Sequence, residues 1–175
     1  MTARVTLPPL SDSPATPDEL QPGRLAEANI NPETGLATDY LNHFNEAIML
    51  LEMLPEFPDC IEDLMVWRPV SYREHFAASS FKERDLAIAA YEMTQPQMRQ
   101  RLDDLADVMN AILVSTGEAM QRSPSTHATA AREALTLLKP LVAQAGALIN
   151  GAEAAAVASA ETGATQAAID ALLER

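Results

Sequence analysis

The chain has 175 residues and a mass of 18.9 kDa, the size of one domain with a tail. Its 25 acidic and 12 basic side chains leave a formal charge of −13, without the basic footprint that displaces counterions from nucleic acid and of the wrong sign for an acidic membrane surface. Thirty-one alanines beside 4 Phe, 3 Tyr and one Trp cannot supply the aromatic and β-branched runs of a sandwich or barrel, so an all-α fold is expected.

Residues 1–37 hold six of the twelve prolines and no sustained apolar period. They are expected to form a flexible arm, with a short helical turn at 25–28, because such a segment buries too little surface to offset its ordering entropy. A docking tail that orders on a partner is the alternative.

Thr38 is placed to cap a helix over 39–54 that Pro55 stops. Tyr40, Leu41, Phe44, Ala47, Ile48, Leu51 and Leu54 share one arc of it, and Met49, Leu50 and Met53 fill much of the rest. A helix apolar on most sides belongs in the middle of a bundle. Pro58 suits the start of a short helix running to Trp67, which Pro69 ends. Ser71-x-x-Glu74 and Ser80-x-x-Glu83 are capping-box patterns that predict helices over 72–78 and 81–93.

Pro96 then opens a helix in which Met98, Leu102, Leu105, Met109, Ile112, Thr116 and Ala119 recur at alternating spacings of four and three. Ser123-Pro124-Ser125-Thr126 breaks it. The same rhythm resumes through Ala131, Leu135, Leu138, Val142, Ala145 and Ile149, which predicts an antiparallel hairpin of two heptad-patterned helices. Pro140 is expected to bend the second helix and Gly151 to end it. The domain expected is a bundle of about five or six helices over 38–150, followed by an alanine-rich helix or frayed tail over 151–175.

Chemistry has few footholds in this sequence. Cys60 is the sole cysteine, which excludes an intramolecular disulfide and a cysteine zinc cage, and fits a reducing, cytoplasmic setting. No stretch is apolar enough for a membrane span, and no leader-type apolar run opens the chain. Glycine-rich phosphate loops, Gly-x-Ser-x-Gly elbows, His-Glu-x-x-His and calcium loops are all missing from the sequence.

One histidine stripe invites a chemical reading. Asp39, His43 and Glu46 fall at i, i+4 and i+7 on one helix, a spacing at which two carboxylates and an imidazole could share a metal ion or position a general base, with His75 and Glu74 as a complement. A carboxylate-bridged di-iron bundle would need Glu-x-x-His pairs, whereas this chain has the order His43-x-x-Glu46. A phosphorelay histidine fits poorly, since the Glu46 carboxylate would repel phosphate. Trp67 is expected to plug the bundle end, with a cation–π contact to Arg68 or Arg73 as the alternative.

The charge is unevenly distributed. Residues 38–94 carry 11 acidic and 4 basic groups, and Glu56, Asp59, Glu62 and Asp63 cluster around one turn. The leading expectation is therefore a non-enzymatic interaction, regulatory or adaptor protein that presents this acidic surface to another protein with a basic surface, without cofactor, nucleic acid or membrane. The competing reading is a small metal-binding or enzymatic bundle centred on His43, with Asp39, Glu46 and His75 as candidate ligands. A third is a homo-oligomeric structural protein, because heptad faces pair between chains as readily as within one.

Overall fold

The computed structural model describes residue 16 and residues 18–152. Among the described residues there are seven α-helices and no strand, an all-helical bundle as the composition requires.

The first helix, α1 (Pro22–Glu27), starts with proline at its N-terminus, where the missing N–H costs nothing. Leu25, Ala28, Ile30, Leu36 and Ala37 that follow are buried in the common core. The expectation of a flexible arm over 1–37 is thus corrected for its second half; residues 1–15 and 17 lie outside the described set, as do residues 153–175 of the alanine-rich helix or frayed tail expected over 151–175. Sparse apolar residues suffice there because the backbone is satisfied locally. Asn31 Oδ1 accepts the N–H groups of Glu33 and Thr34, at 2.8 and 3.2 Å, and the Asn31 N–H reaches the Leu36 carbonyl. Two longer bonds then tie this loop down. Thr34 Oγ1 donates to the Ile149 carbonyl at 2.7 Å, closing the end of the helix that Ile149 terminates, and Thr94 Oγ1 donates to the Thr34 carbonyl at 2.9 Å. Gly35, at φ +72°, makes the close approach possible, since a Cβ there would lie 2.8 Å from Thr94 Oγ1.

The helix expected over 39–54 divides into a 3-10 turn (Thr38–Leu41) and α2 (Asn42–Met53), and Thr38 caps neither. Phe44, Ala47, Ile48 and Leu51, at the i, i+3, i+4, i+7 spacing of one helix face, are buried together with Leu50. Three short helices follow: α3 (Cys60–Val66), α4 (Tyr72–Ala78) and α5 (Arg84–Met93). The Ser71 capping box forms in full, with the Ser71 hydroxyl accepting from the Glu74 N–H and the Glu74 carboxylate accepting from the Ser71 N–H. The Ser80 box does not. The preceding Ser79 accepts the Phe81 N–H, Glu83 pairs with Arg24, and α5 starts three residues later than the pattern predicts.

Helices α6 (Pro96–Arg122) and α7 (His127–Ile149) form the expected hairpin across a 3-10 turn (Pro124–Thr126) and pack along each other. The heptad residues Leu102, Met109, Ala131, Leu138, Ala145 and Ile149 are buried. Helix α7 runs on through Pro140 to Ile149; Thr136 and Pro140 are both exposed, so water can meet the carbonyl that proline leaves without a donor. Gly151 ends it with φ +76°. Helix α2 packs on α7 and on α3, while α4 packs on α5.

Candidate functional site

The 3-10 turn and α2 carry Asp39 and His43, and α4 brings His75 against them. His75 Nε2 lies 3.4 Å from Asp39 Oδ2, and the two imidazole rings are 6.3 Å apart, centroid to centroid. Trp67, just past the end of α3, stacks on His43 with ring centroids 4.6 Å apart and planes 20° from parallel. Its Nε1 donates to the His43 carbonyl at 3.2 Å, so one indole is fixed by both stacking and a hydrogen bond. Tyr40 and Phe76 meet His75 edge-on, and Phe44 meets His43 in the same way.

Three of the residues picked from the sequence therefore converge, and two do not. Glu46, one turn beyond His43 on α2, is exposed, and the exposed Glu74 is spent on the Ser71 capping box, which holds its carboxyl below the usual range. Burial, with a smaller contribution from the neighbouring His75, lowers the His43 pKa to about 4. Its Nε2 is buried without a hydrogen-bond partner. A neutral ring sandwiched by aromatic neighbours is a packing element at neutral pH. Among the described residues no group of three or more His, Cys, Asp and Glu side chains is placed to hold a metal ion.

The remaining candidates have local duties. Arg68 donates to the carbonyls of Met65 and Trp67 at the end of α3, and Arg73 pairs with Glu92, so neither is the cation over Trp67. Arg99 instead lies over the Tyr91 ring, 5.6 Å from its centroid. His127 closes the end of α6 through Nε2 and the Met120 carbonyl, 3.0 Å apart. Cys60 is a half-buried free thiol at the start of α3.

The acidic turn presents a different kind of surface. Glu56, Asp59, Glu62 and Asp63 are all exposed, and among the described residues none of them is in an ion pair. Asp59, Glu62, Asp63 and Val66 fall at helical spacing on one face of α3, and Val66 is 71% exposed. Phe57, at the turn between α2 and α3, is 56% exposed, and its N–H bonds to the carbonyl of Met53, itself an exposed methionine. Sequence pattern alone missed these apolar groups, because nothing in it separates an exposed Phe57 from the buried Phe44 and Phe76.

A second feature escaped the sequence as well. Tyr91 stacks on Tyr72 at 4.5 Å and donates to the Asp103 carboxylate across the α5–α6 turn, at 2.7 and 2.8 Å. Burial raises the pKa of both partners. No helix of the described residues is long and apolar enough to cross a membrane. In comparisons with known proteins, the chain matches no family model, no curated protein and no solved structure.

Proposed function

We propose that the protein is a non-enzymatic interaction protein, and that its acidic turn docks a basic segment of another protein carrying an apolar anchor. The observation that supports this most is the pairing of exposed Phe57 and Val66 with four exposed carboxylates that form no ion pair among the described residues. An interface of this composition works in two ways. The uncompensated negative field steers a Lys- or Arg-rich partner towards the turn, and the apolar side chains supply area that holds once water is expelled. A solvated helix start needs the carboxylates but not the exposed phenylalanine beside them.

The test compares three full-length chains as bait in a lysate of the native organism: the intact protein, a Glu56→Gln/Asp59→Asn/Glu62→Gln/Asp63→Asn chain, and Phe57→Ser. The expected result is one protein with a basic segment that the intact chain captures and that both variants lose by about tenfold or more, with capture falling as salt rises. Capture that is indifferent to both variants and to salt would remove this reading.

A further inference from the structure

The acidic turn is continued by an apolar strip that runs back along α2. Met49 and Met53 are 51% and 37% exposed, and they lead at intervals of four residues to the exposed Phe57. The Phe57 N–H returns to the Met53 carbonyl, so the chain is still turning helically there and the three side chains stay on one side of the axis. At about 1.5 Å per residue the strip is roughly 12 Å long. Carboxylates flank it, since Glu46, Glu52 and Glu56 fall within about 60° of Met49 on a 100° wheel and are all exposed. Glu52 is paired with Lys139 of α7 at 2.6 Å, while Glu46 and Glu56 are in no ion pair among the described residues.

We infer that this strip and the acidic turn together seat a basic amphipathic helix of the partner, with its apolar face on Met49, Met53 and Phe57 and its Lys or Arg flanks over the carboxylates. This rests on the proposed docking role and adds the form of the partner. The sign of the surface selects a cationic segment and disfavours a phosphorylated one, which is recognised by clustered arginines. The fold then selects among the ways a peptide is held. An extended segment that adds a strand needs a sheet edge, and the described residues contain no strand. A proline-rich segment needs a groove walled by aromatic rings, yet Phe57 is the only Phe, Tyr or Trp exposed among the described residues. A helix needs neither. It offers apolar side chains at the same spacing of three and four that the strip presents, with cations on both flanks, and unbranched methionines adapt their shape to what lies on them.

The full-length protein tests this with two labelled peptides of about 18 residues, long enough for about five helical turns. One is built from leucine and lysine in helical period; the other has the same composition in an order that removes the period. Binding is followed by fluorescence anisotropy at about 0.15 M salt. The periodic peptide is expected to bind about tenfold or more tightly than the scrambled one, to gain helix on binding by circular dichroism, and to lose about tenfold in affinity for Met49→Gln/Met53→Gln. Met49→Leu/Met53→Leu, which keeps the strip apolar, is expected to retain it. Equal affinities for the two peptides, or affinity indifferent to Met49→Gln/Met53→Gln, would overturn the inference, because charge alone would then hold the peptide. Both exposed positions leave the core intact, and unchanged helix content of the variants excludes a folding defect. In the lysate comparison, a basic protein that the acidic-turn variants lose and Met49→Gln/Met53→Gln keeps would remove the helix while leaving the docking turn in place.

Discussion

The two halves of the bundle reach order by opposite means. All eight aromatic residues lie between Tyr40 and Tyr91, whereas the hairpin from Pro96 onward has none. The aromatic half is built from helices of 7 to 12 residues, too short to hold their own geometry in water, and it is fastened by bonds between distant side chains and backbone: Ala37 N–H to Tyr72 Oη at 2.9 Å, Tyr40 Oη to the Val70 carbonyl at 3.0 Å, Trp67 to His43. The hairpin has helices of 27 and 23 residues that pack along each other, and the distant bonds it does receive, such as Thr34 Oγ1 to the Ile149 carbonyl and Tyr91 Oη to Asp103, come from the first half of the chain. Its hydroxyls at Ser115, Thr116 and Thr136 bond one turn back along their own helix. Length and a repeated small-residue seam replace bulk, and the difference explains why every candidate for chemistry lies in the first half, where side chains from remote segments are forced to meet.

The largest effect that could break this comparison is the loss of one aromatic anchor. Phe44 is fully buried beneath Tyr40, so Phe44→Ala is expected to cost about 3–5 kcal/mol in urea-induced unfolding. Native-state hydrogen exchange on the same variant locates the damage. Amides of α3 and α4 are expected to open at lower free energy than those of α6 and α7, with the gap widened by the substitution. Uniform loss of protection across both halves would show that they are one cooperative unit and that the contrast is only one of composition.

The pH dependence sharpens the comparison at a single ring. His43 has its pKa lowered from an ordinary 6.5 to about 4 by burial and by His75, so the unfolded chain takes up this proton before the folded one does. Stability is then at its full value above pH 6.5 and falls as pH drops towards 4. The loss assigned to His43 is about 1–2 kcal/mol, less than the pKa difference alone gives, since a half-buried ring is still partly screened by water. His43→Phe keeps a ring against Trp67 and is expected to remove that part of the decline. Parallel stability curves for the two proteins between pH 7 and 4 would show that His43 does not carry it.

Periodicity made the hairpin legible residue by residue, because a helix that packs along its whole length must repeat its apolar positions. The same method fails for residues 20–37, where order comes from Thr34, Asn31 and Gly35 making bonds to partners as far away as Ile149. No local pattern announces a partner 115 residues distant. The candidate site was legible in part for the same reason. Asp39 and His43 are neighbours on one turn of chain, and the resemblance of Asp39-x-x-x-His43 to a ligand stripe was visible, but that His75 would arrive while Glu46 faced water depends on how α4 packs. The exposure of Met49 and Phe57 is a property of what fails to cover them, which composition does not encode.

The smallest effect tests the claim that the short helices depend on named bonds. Ser71 and Ser80 head identical sequence patterns, yet only the Ser71 hydroxyl and the Glu74 carboxylate make the reciprocal bonds of a capping box. Ser71→Ala is expected to cost about 1 kcal/mol, the usual value of a side-chain cap. Ser80→Ala, at an exposed position with no cap bond, is expected to stay within about 0.5 kcal/mol of the parent. The two denaturation midpoints, measured side by side, separate a pattern from a bond. If both substitutions cost the same, the seven-residue α4 is held by the packing of Tyr72 and Phe76 alone, and the capping box is a consequence of the helix rather than a support for it.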